Sequence, residues 1–230
     1  MKKSALISLC CLSAALILAG CAGNAKKAEA EAQAEQARLD SIATAEANKE
    51  KKVMDKLAQL PEEPVFDIIT NHGTIRIKLY ADTPKHRENF AKLALTGFYD
   101  GLLFHRVING FMIQGGDPLT INPNNADQFG TGGPGYTIPA EFVAAHKHKK
   151  GALAAARRGD AANPMKESSG SQFYLVQDAD ACSQLDGDYT VFGETIDGLK
   201  VIDNIASVEV DRRSRPVQDV KIIQIKLVEE

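Results

Sequence analysis

Apolar and polar residues alternate with a period of two in several short segments. Residues 65–70 and 74–80 are two such segments, and in the second, basic residues separate Ile75, Ile77 and Leu79. A period of two places successive side chains on opposite faces of a strand. Because an Asn-His-Gly turn signal lies between the segments, we expect a β-hairpin with one buried face.

Further strands are predicted towards the end of the chain. Residues 151–157 are small and apolar, and residues 220–227 alternate, which predicts that Ile223, Ile225 and Leu227 share one side of a last strand. Between them, Gln172 and Tyr174 fall on one face of a short strand and Phe173 and Leu175 on the other.

Two segments have the pattern of a helix instead. Thr83 is a candidate N-cap, Pro84 suits the first turn, and Gly97 is placed to end the helix. Residues 198–206 predict a short second helix. Many short strands with only two helices favour an antiparallel barrel over alternating β-α-β units.

The N-terminal region differs from this pattern. Lys2 and Lys3 precede an apolar run, residues 5–19, that is short for a membrane span. The run ends in Leu-Ala-Gly-Cys21, which resembles the lipobox of bacterial lipoproteins. We therefore expect residues 1–20 to be a lipoprotein signal peptide and Cys21 to carry the lipid, palmitate included. The alternative is an uncleaved anchor, or an ordinary signal with an incidental cysteine.

Residues 21–61 form a polar spacer rich in Ala, Glu and Lys. These residues favour a helix, and a full helix would reach roughly 55 Å at 1.5 Å per residue. The apolar stripe is broken, so a helical or flexible spacer is favoured over a coiled coil.

Composition narrows the possible functions. The net charge of −3 and pI near 6.0 give no reason to expect a nucleic-acid partner. Without Cys10, Cys11 and Cys21, Cys182 has no disulfide partner within the chain. His146 and His148 lie in a lysine-rich loop without nearby carboxylates, which predicts a solvated loop rather than a metal site. We expect no metal and no cofactor.

Residues 104–117 read FHRVINGFMIQGGD, an unusual mixture of large apolar residues with one arginine and one glutamine. Two short strands around an Asn-Gly turn are expected here. Arg106 and Ile108 would share a face of the first strand, and Met112 and Gln114 would share a face of the second. Polar groups are costly in an ordinary core. The pattern is typical of a shallow apolar pocket with a few fixed polar groups.

This stretch is similar to the cyclophilin signature F-H-R-x-x-x-G-F-M-x-Q-G-G-D. Two further matches, Ser169–Tyr174 and Leu185–Gly193, follow in the family's order. The chain therefore resembles cyclophilin-type peptidyl-prolyl isomerases over about residues 64–230. The resemblance implies a mainly β domain, residues 62–230, built as a closed eight-stranded antiparallel barrel capped by two helices.

The resemblance also implies roles for individual residues. Arg106, Phe111 and Gln114 would be catalytic, with Arg106 donating a hydrogen bond to the prolyl nitrogen and Gln114 orienting it. The other residues would bind the substrate: Ile108, Met112, Ala156, Arg157, Gln172, Tyr174, Leu185 and Tyr189. Ala156 and Arg157 would offer backbone groups to the peptide. Tyr174 replaces the family's usual phenylalanine.

These expectations combine into a lipid-anchored peptidyl-prolyl cis-trans isomerase. Its partners would be proline-containing polypeptides and, through Cys21, a bacterial membrane, with the domain in the cell envelope outside the cytoplasm. Two alternatives remain: a non-catalytic peptide-binding or chaperone lipoprotein that uses the same groove, and a structural envelope lipoprotein.

Overall fold

The computed structural model describes residues 22–229, and the predicted signal peptide and Cys21 lie outside them. The helices are α1 (Ala22–Ala58), α2 (Pro84–Thr96), α3 (Ala179–Cys182) and α4 (Leu199–Ala206). The strands are β1 (Val65–Thr70), β2 (Gly73–Leu79), β3 (Arg106–Ile108), β4 (Met112–Gly115), β5 (Thr137–Ile138), β6 (Ala152–Ala155), β7 (Ser168–Ser169), β8 (Phe173–Val176), β9 (Val191–Asp197) and β10 (Ile222–Leu227). Short 3₁₀ helices cover Pro118–Ile121, Pro123–Gln128 and Ser183–Leu185.

Eight strands form one curled antiparallel sheet in the order β10-β1-β2-β9-β6-β8-β4-β3, and β5 pairs with β7 separately. The sheet is an open half-barrel, so the expectation of a closed barrel is wrong. The end strands β3 and β10 do not pair with each other. The segment just before β3 instead makes isolated backbone bonds to the start of β10: Gly101 donates to Ile222, Ile222 to Leu102, and Phe104 to Val220.

Alternation along the strands separates two groups of apolar side chains. Val107, Ile113, Phe173 and Leu175 point into the main core, which α2 and α4 cover. Their neighbours on β4 and β8 point to the opposite face and join a second cluster: Met112, Tyr174 and Val176. The period of two therefore gives this part of the sheet two apolar faces, and the second one carries the predicted site.

The last strand departs from the predicted pattern at Ile223. Ile69 pairs with Gln224 and Thr70 with Ile222, so Ile223 is the extra residue of a bulge. A bulge shifts the alternation by one residue. Ile222 is consequently buried and Ile223 is 52% exposed, whereas the sequence pattern placed Ile223 on the same side as Ile225, which is buried.

Thr83 occupies the predicted N-cap position of helix α2, but a different residue supplies the capping group. The Thr83 side chain makes no capping bond. Instead, the Glu141 carboxylate accepts the N–H groups of Lys85 at 3.1 Å and His86 at 3.0 Å. A carboxylate suits this end of a helix because unpaired N–H groups and the helix dipole both favour negative charge. The predicted end is confirmed, since Gly97 is left-handed, with φ 79°.

The chain divides into two compact units, residues 1–48 and 49–230. In the first, the described side chains of α1 are exposed, including Leu39 and Ile42. In the second, Val53 is buried, and Leu57 and Leu60 pack against the main core. Of the described helices, none combines the length and hydropathy that crossing a bilayer requires.

Candidate active site

The β3–β4 hairpin places the predicted catalytic arginine opposite the predicted glutamine. Arg106 pairs with Gln114 across the hairpin, and Ile108 pairs with Met112. Gly110 turns the chain with φ 74°, a conformation that favours glycine. The predicted hairpin and its faces are confirmed.

A chain of amide groups holds the exposed Arg106 side chain. Its Nη1 donates to Gln114 Oε1 at 3.1 Å, and Gln114 Nε2 donates to Gln172 Oε1 at 3.0 Å. Gln172 Nε2 in turn donates to the carbonyl oxygens of Gly130 and Gly132. Because Gln172 is buried, the exposed guanidinium is held to the protein through fixed groups.

The predicted pocket residues come together beside this arginine. Met112, Ala156 and Tyr174 are buried in the second apolar cluster. The partly buried residues packed against that cluster are Ile108, Phe111, Leu185 and Tyr189. Their partial exposure gives an apolar surface next to a cation, which is what a binding pocket for a small apolar ring needs.

The backbone of Phe111 is anchored by groups that the sequence did not indicate. Its carbonyl oxygen accepts hydrogen bonds from the N–H groups of Gln177 at 2.9 Å and Asp178 at 3.2 Å. The Gln177 side chain also accepts the N–H of Gly110. Gln177 thus fixes the turn that presents Phe111. No sequence motif includes Gln177, so this role becomes evident only from its position in the structure, directly after β8.

Arg157 supports the pocket with its side chain. Its guanidinium lies 4.4 Å from the centre of the Tyr189 ring, and its Nε donates to the Asp188 carbonyl. The Tyr189 ring in turn meets Tyr174 edge to face. This cation–π contact and its hydrogen bonds hold Tyr189 as a wall of the pocket.

Both backbone groups of Ala156, which the resemblance assigns to a bound peptide, make hydrogen bonds within the domain. Its N–H donates to Gln172 O and its carbonyl accepts from Ser169, so both groups are already used. Ala156 contributes instead through its buried methyl group. Within residues 22–229, no hydrogen bond of the Arg157 backbone is found, and this neighbour keeps the backbone groups that a peptide requires.

A groove of about 610 Å³ continues from the amide chain. Gln114 and Gln172 line it on one side, and Tyr136, Arg158 and Glu167 lie among its other walls. Its lining includes polar and charged side chains.

The two loop histidines do not lie in solvent, contrary to the prediction. His148 is buried, with Nδ1 2.8 Å from Asp186 Oδ1 and Nε2 2.8 Å from Tyr174 Oη. His146 stacks on Tyr80 and lies 2.6 Å from Asp82. The prediction failed because the carboxylate and hydroxyl partners are distant in sequence.

Two further titratable residues of the domain, His105 and Cys182, are buried. His105 is buried, and burial lowers its pKa to about 4. Burial also raises the pKa of the Cys182 thiol to about 11. In the described part of the chain, no three His, Cys, Asp or Glu side chains are grouped to hold a metal ion.

An open half-barrel with an arginine held beside a partly exposed apolar cluster is typical of a peptide-binding domain. The family model for cyclophilin type peptidyl-prolyl cis-trans isomerases matches residues 65–227, so the chain belongs to this family.

Individual relatives agree with this assignment. Peptidyl-prolyl cis-trans isomerase B of Bacillus subtilis is 40% identical over 152 residues, which cover 65% of this chain and 95% of that protein. Peptidyl-prolyl cis-trans isomerase-like 2 of Rhizopus delemar is 41% identical over 70% of this chain, but the match spans only 28% of that longer protein. A crystal structure of a Cryptosporidium parvum cyclophilin type isomerase in the presence of the dipeptide Ala-Pro has a TM-score of 0.63 and 29% identity, covering 72% of this chain and 99% of that one.

Proposed function

We propose that the domain accelerates cis-trans isomerisation of X-Pro peptide bonds, with Arg106 as the catalytic donor. The observation that carries this proposal is the Arg106 guanidinium, held by Gln114 at the edge of the apolar cluster around Phe111. The relative crystallised with Ala-Pro supports a proline-containing substrate, because that ligand contains the bond on which such an enzyme acts.

The mechanism follows from the electronic structure of the amide. Its partial double bond gives a barrier of about 18–20 kcal/mol. In the twisted transition state the prolyl nitrogen loses conjugation and regains a lone pair. A guanidinium N–H directed at that nitrogen therefore binds the transition state better than the planar ground state, which is the condition for catalysis.

The hydrogen bond alone gives a limited acceleration. A bond to a charged donor contributes roughly 1.5–3 kcal/mol, or about 10–100-fold in rate. The pocket supplies the rest in this proposal. Phe111, Met112 and Tyr174 would hold the proline ring and exclude water, which weakens the charge-separated planar form of the amide. The carbonyl that precedes the proline would then turn while the ring stays fixed.

Arg157 and Gln172 would bind the peptide on either side of the proline. The Arg157 backbone keeps unpaired groups for this purpose, and Gln172 lines the adjoining groove. Side chains of the client next to the proline would enter this groove.

We also propose that the protein is a bacterial lipoprotein whose domain assists folding outside the cytoplasm. This rests on the signal-like residues 1–20, the lipobox before Cys21 and the polar spacer. Both the signal and Cys21 lie outside the described residues. The spacer supports the proposal through α1, whose 37 residues would extend roughly 55 Å at 1.5 Å per residue.

An isomerase assay on the full chain tests the catalytic proposal. The exchange rate of a short X-Pro peptide is measured by NMR with wild-type protein and with Arg106→Ala. We expect Arg106→Ala to lose most activity while its circular dichroism spectrum is unchanged. A folded Arg106→Ala protein with full activity would contradict the mechanism. Peptide binding without acceleration by the wild type would favour the chaperone alternative.

A further inference from the structure

Tyr174 is linked to two other segments through His148. The Tyr174 hydroxyl lies 2.8 Å from His148 Nε2, and His148 Nδ1 lies 2.8 Å from Asp186 Oδ1. The same carboxylate oxygen accepts the His148 backbone N–H at 2.9 Å. The chain of bonds connects the loop before β6, the middle of β8, and the turn that follows Leu185.

The partners determine the direction of these hydrogen bonds. An ionised Asp186 can only accept, so His148 carries its proton on Nδ1 and donates it to the carboxylate. In this neutral tautomer Nε2 is an acceptor, and the Tyr174 hydroxyl donates to it. Burial lowers the pKa of His148 although Asp186 opposes the shift, which favours the neutral ring at neutral pH.

The link matters because its two ends belong to the pocket. The Tyr174 ring is buried in the apolar cluster, and Asp186 follows Leu185 and precedes Tyr189, which both line that cluster. One histidine thus holds a pocket ring on β8 against the turn that carries two further pocket residues.

We propose that His148 is a positioning residue for the proline pocket, which fixes the Tyr174 ring and the Leu185–Tyr189 turn only while its Nε2 accepts the tyrosine hydroxyl. The proposal rests on the proposed function, since it takes this cluster as the proline site. His148 touches no substrate and acts through Tyr174 and the turn.

Protonation of His148 would reverse its bond to Tyr174. Nε2 would become a donor, and the tyrosine hydrogen would have to turn towards its other neighbours. The charged or titratable groups around the pair are Asp186, Lys147, Cys182, Tyr189 and Arg157. Lys147 and Arg157 are cations that cannot accept a hydrogen bond from the hydroxyl, and Asp186 is already bound to His148. The pocket would loosen as the pH falls, and substrate binding would weaken more than turnover.

The test measures kcat and KM from pH 5 to 8 by NMR exchange, with a blocked X-Pro peptide that has no titrating group. We expect the wild-type KM to rise about three- to tenfold on acidification, the range that one neutral hydrogen bond represents. Tyr174→Phe keeps the ring but removes the hydroxyl, so its KM should not respond to this titration.

Two His148 variants separate positioning from general structure. His148→Gln places a non-titrating amide oxygen near the Nε2 position, so it should keep the low wild-type KM at all pH values. His148→Ala should show a raised KM throughout. If His148→Ala does not fold, Tyr174→Phe and His148→Gln still decide the question. The matched control is His146→Asn. His146 lies in the same loop as His148 but is bound to Asp82, so this variant should keep the wild-type profile.

The outcomes distinguish this inference from the proposed function. An unaltered pH response of KM in both Tyr174→Phe and His148→Gln overturns the positioning role, because the titration then belongs to another group such as His86. Full activity of Arg106→Ala in the same assay overturns the site assignment and the inference with it. An inactive Arg106→Ala together with a flat Tyr174→Phe profile supports both.

Discussion

Glu141 binds the His86 ring and closes the N-terminus of α2 with the same carboxylate. Its Oε2 lies 2.6 Å from His86 Nδ1 and 3.0 Å from the His86 backbone nitrogen, while Oε1 accepts from Lys85. Burial lowers the pKa of His86, although the hydrogen bond and charge of Glu141 raise it in part. One residue outside the helix therefore fixes both the start of α2 and the charge state of a buried ring.

We expect Glu141→Gln to lower the free energy of unfolding by about 1–2 kcal/mol, because a neutral amide is a weaker cap. The wild type should be most stable above the unfolded His pKa of about 6.5 and lose stability below it, since the unfolded chain binds the proton more readily. Without the Glu141 carboxylate, the pKa of His86 should fall further, so the loss of stability on acidification should continue to lower pH. Urea unfolding from pH 5 to 8 measures both effects.

The matched control is Glu88→Gln, which changes the same chemical group at an exposed position of α2. It should alter stability by less than about 0.5 kcal/mol, as for most surface changes. Equal losses in the two variants would show that net charge, rather than the cap, is responsible.

Breaking the chain of amide groups that holds Arg106 should lower the catalytic activity without unfolding the domain. Gln114→Ala removes the acceptor of Arg106 Nη1, so we expect kcat/KM to fall about three- to tenfold, the range for one hydrogen bond. Gln184→Ala, an exposed glutamine in the nearby 3₁₀ helix, is the control and should keep wild-type activity. Unchanged kinetics in Gln114→Ala would mean that Arg106 orients itself without the chain.

The end of α1 should contribute to stability but not to catalysis. A fragment that starts at residue 62 lacks Val53, Leu57 and Leu60, whereas one that starts at residue 49 keeps them. We expect the free energy of unfolding of the shorter fragment to be roughly 2–4 kcal/mol lower, because fully burying an aliphatic side chain contributes about 1.5–3 kcal/mol. Both should isomerise peptides at the same rate. Thermal unfolding and the NMR assay test the pair, and equal stabilities would show that the packing of these three residues is not maintained in solution.

Replacing Cys21 tests the lipid anchor. Cys21→Ala should abolish incorporation of labelled palmitate and move the protein out of the membrane fraction, because the sulfur is the proposed acceptor. Isomerase activity should remain, since the pocket residues all lie after residue 100. Cys182→Ala is the control and should still be labelled. Labelling of Cys21→Ala would place the lipid elsewhere.

Alternation was a reliable guide wherever a strand keeps its register. It predicted that Tyr174 and Phe173 face opposite sides, and that Met112 and Gln114 share a face of their strand. It failed at Ile223, because a bulge depends on the partner strand and leaves no local pattern.

Polar residues were harder to place than apolar ones. His148 was predicted to lie in a solvated loop, and no role was predicted for Glu141, yet each binds a partner more than thirty residues away. Their roles depend on which segments the fold brings together. The motif could identify the arginine and the pocket ring, but not the groups that hold Phe111 and Tyr174 in place.

The two apolar faces of the sheet also bear on how such a domain evolves. Ile113 and Leu175 belong to the main core, and their neighbours Met112 and Tyr174 belong to the pocket. Effects of mutations add when the sites do not share partners. Substitutions on the pocket face can therefore accumulate and change which peptides are accepted, while the main core on the other face stays intact. Such a domain can diversify its substrates without crossing through unstable intermediates.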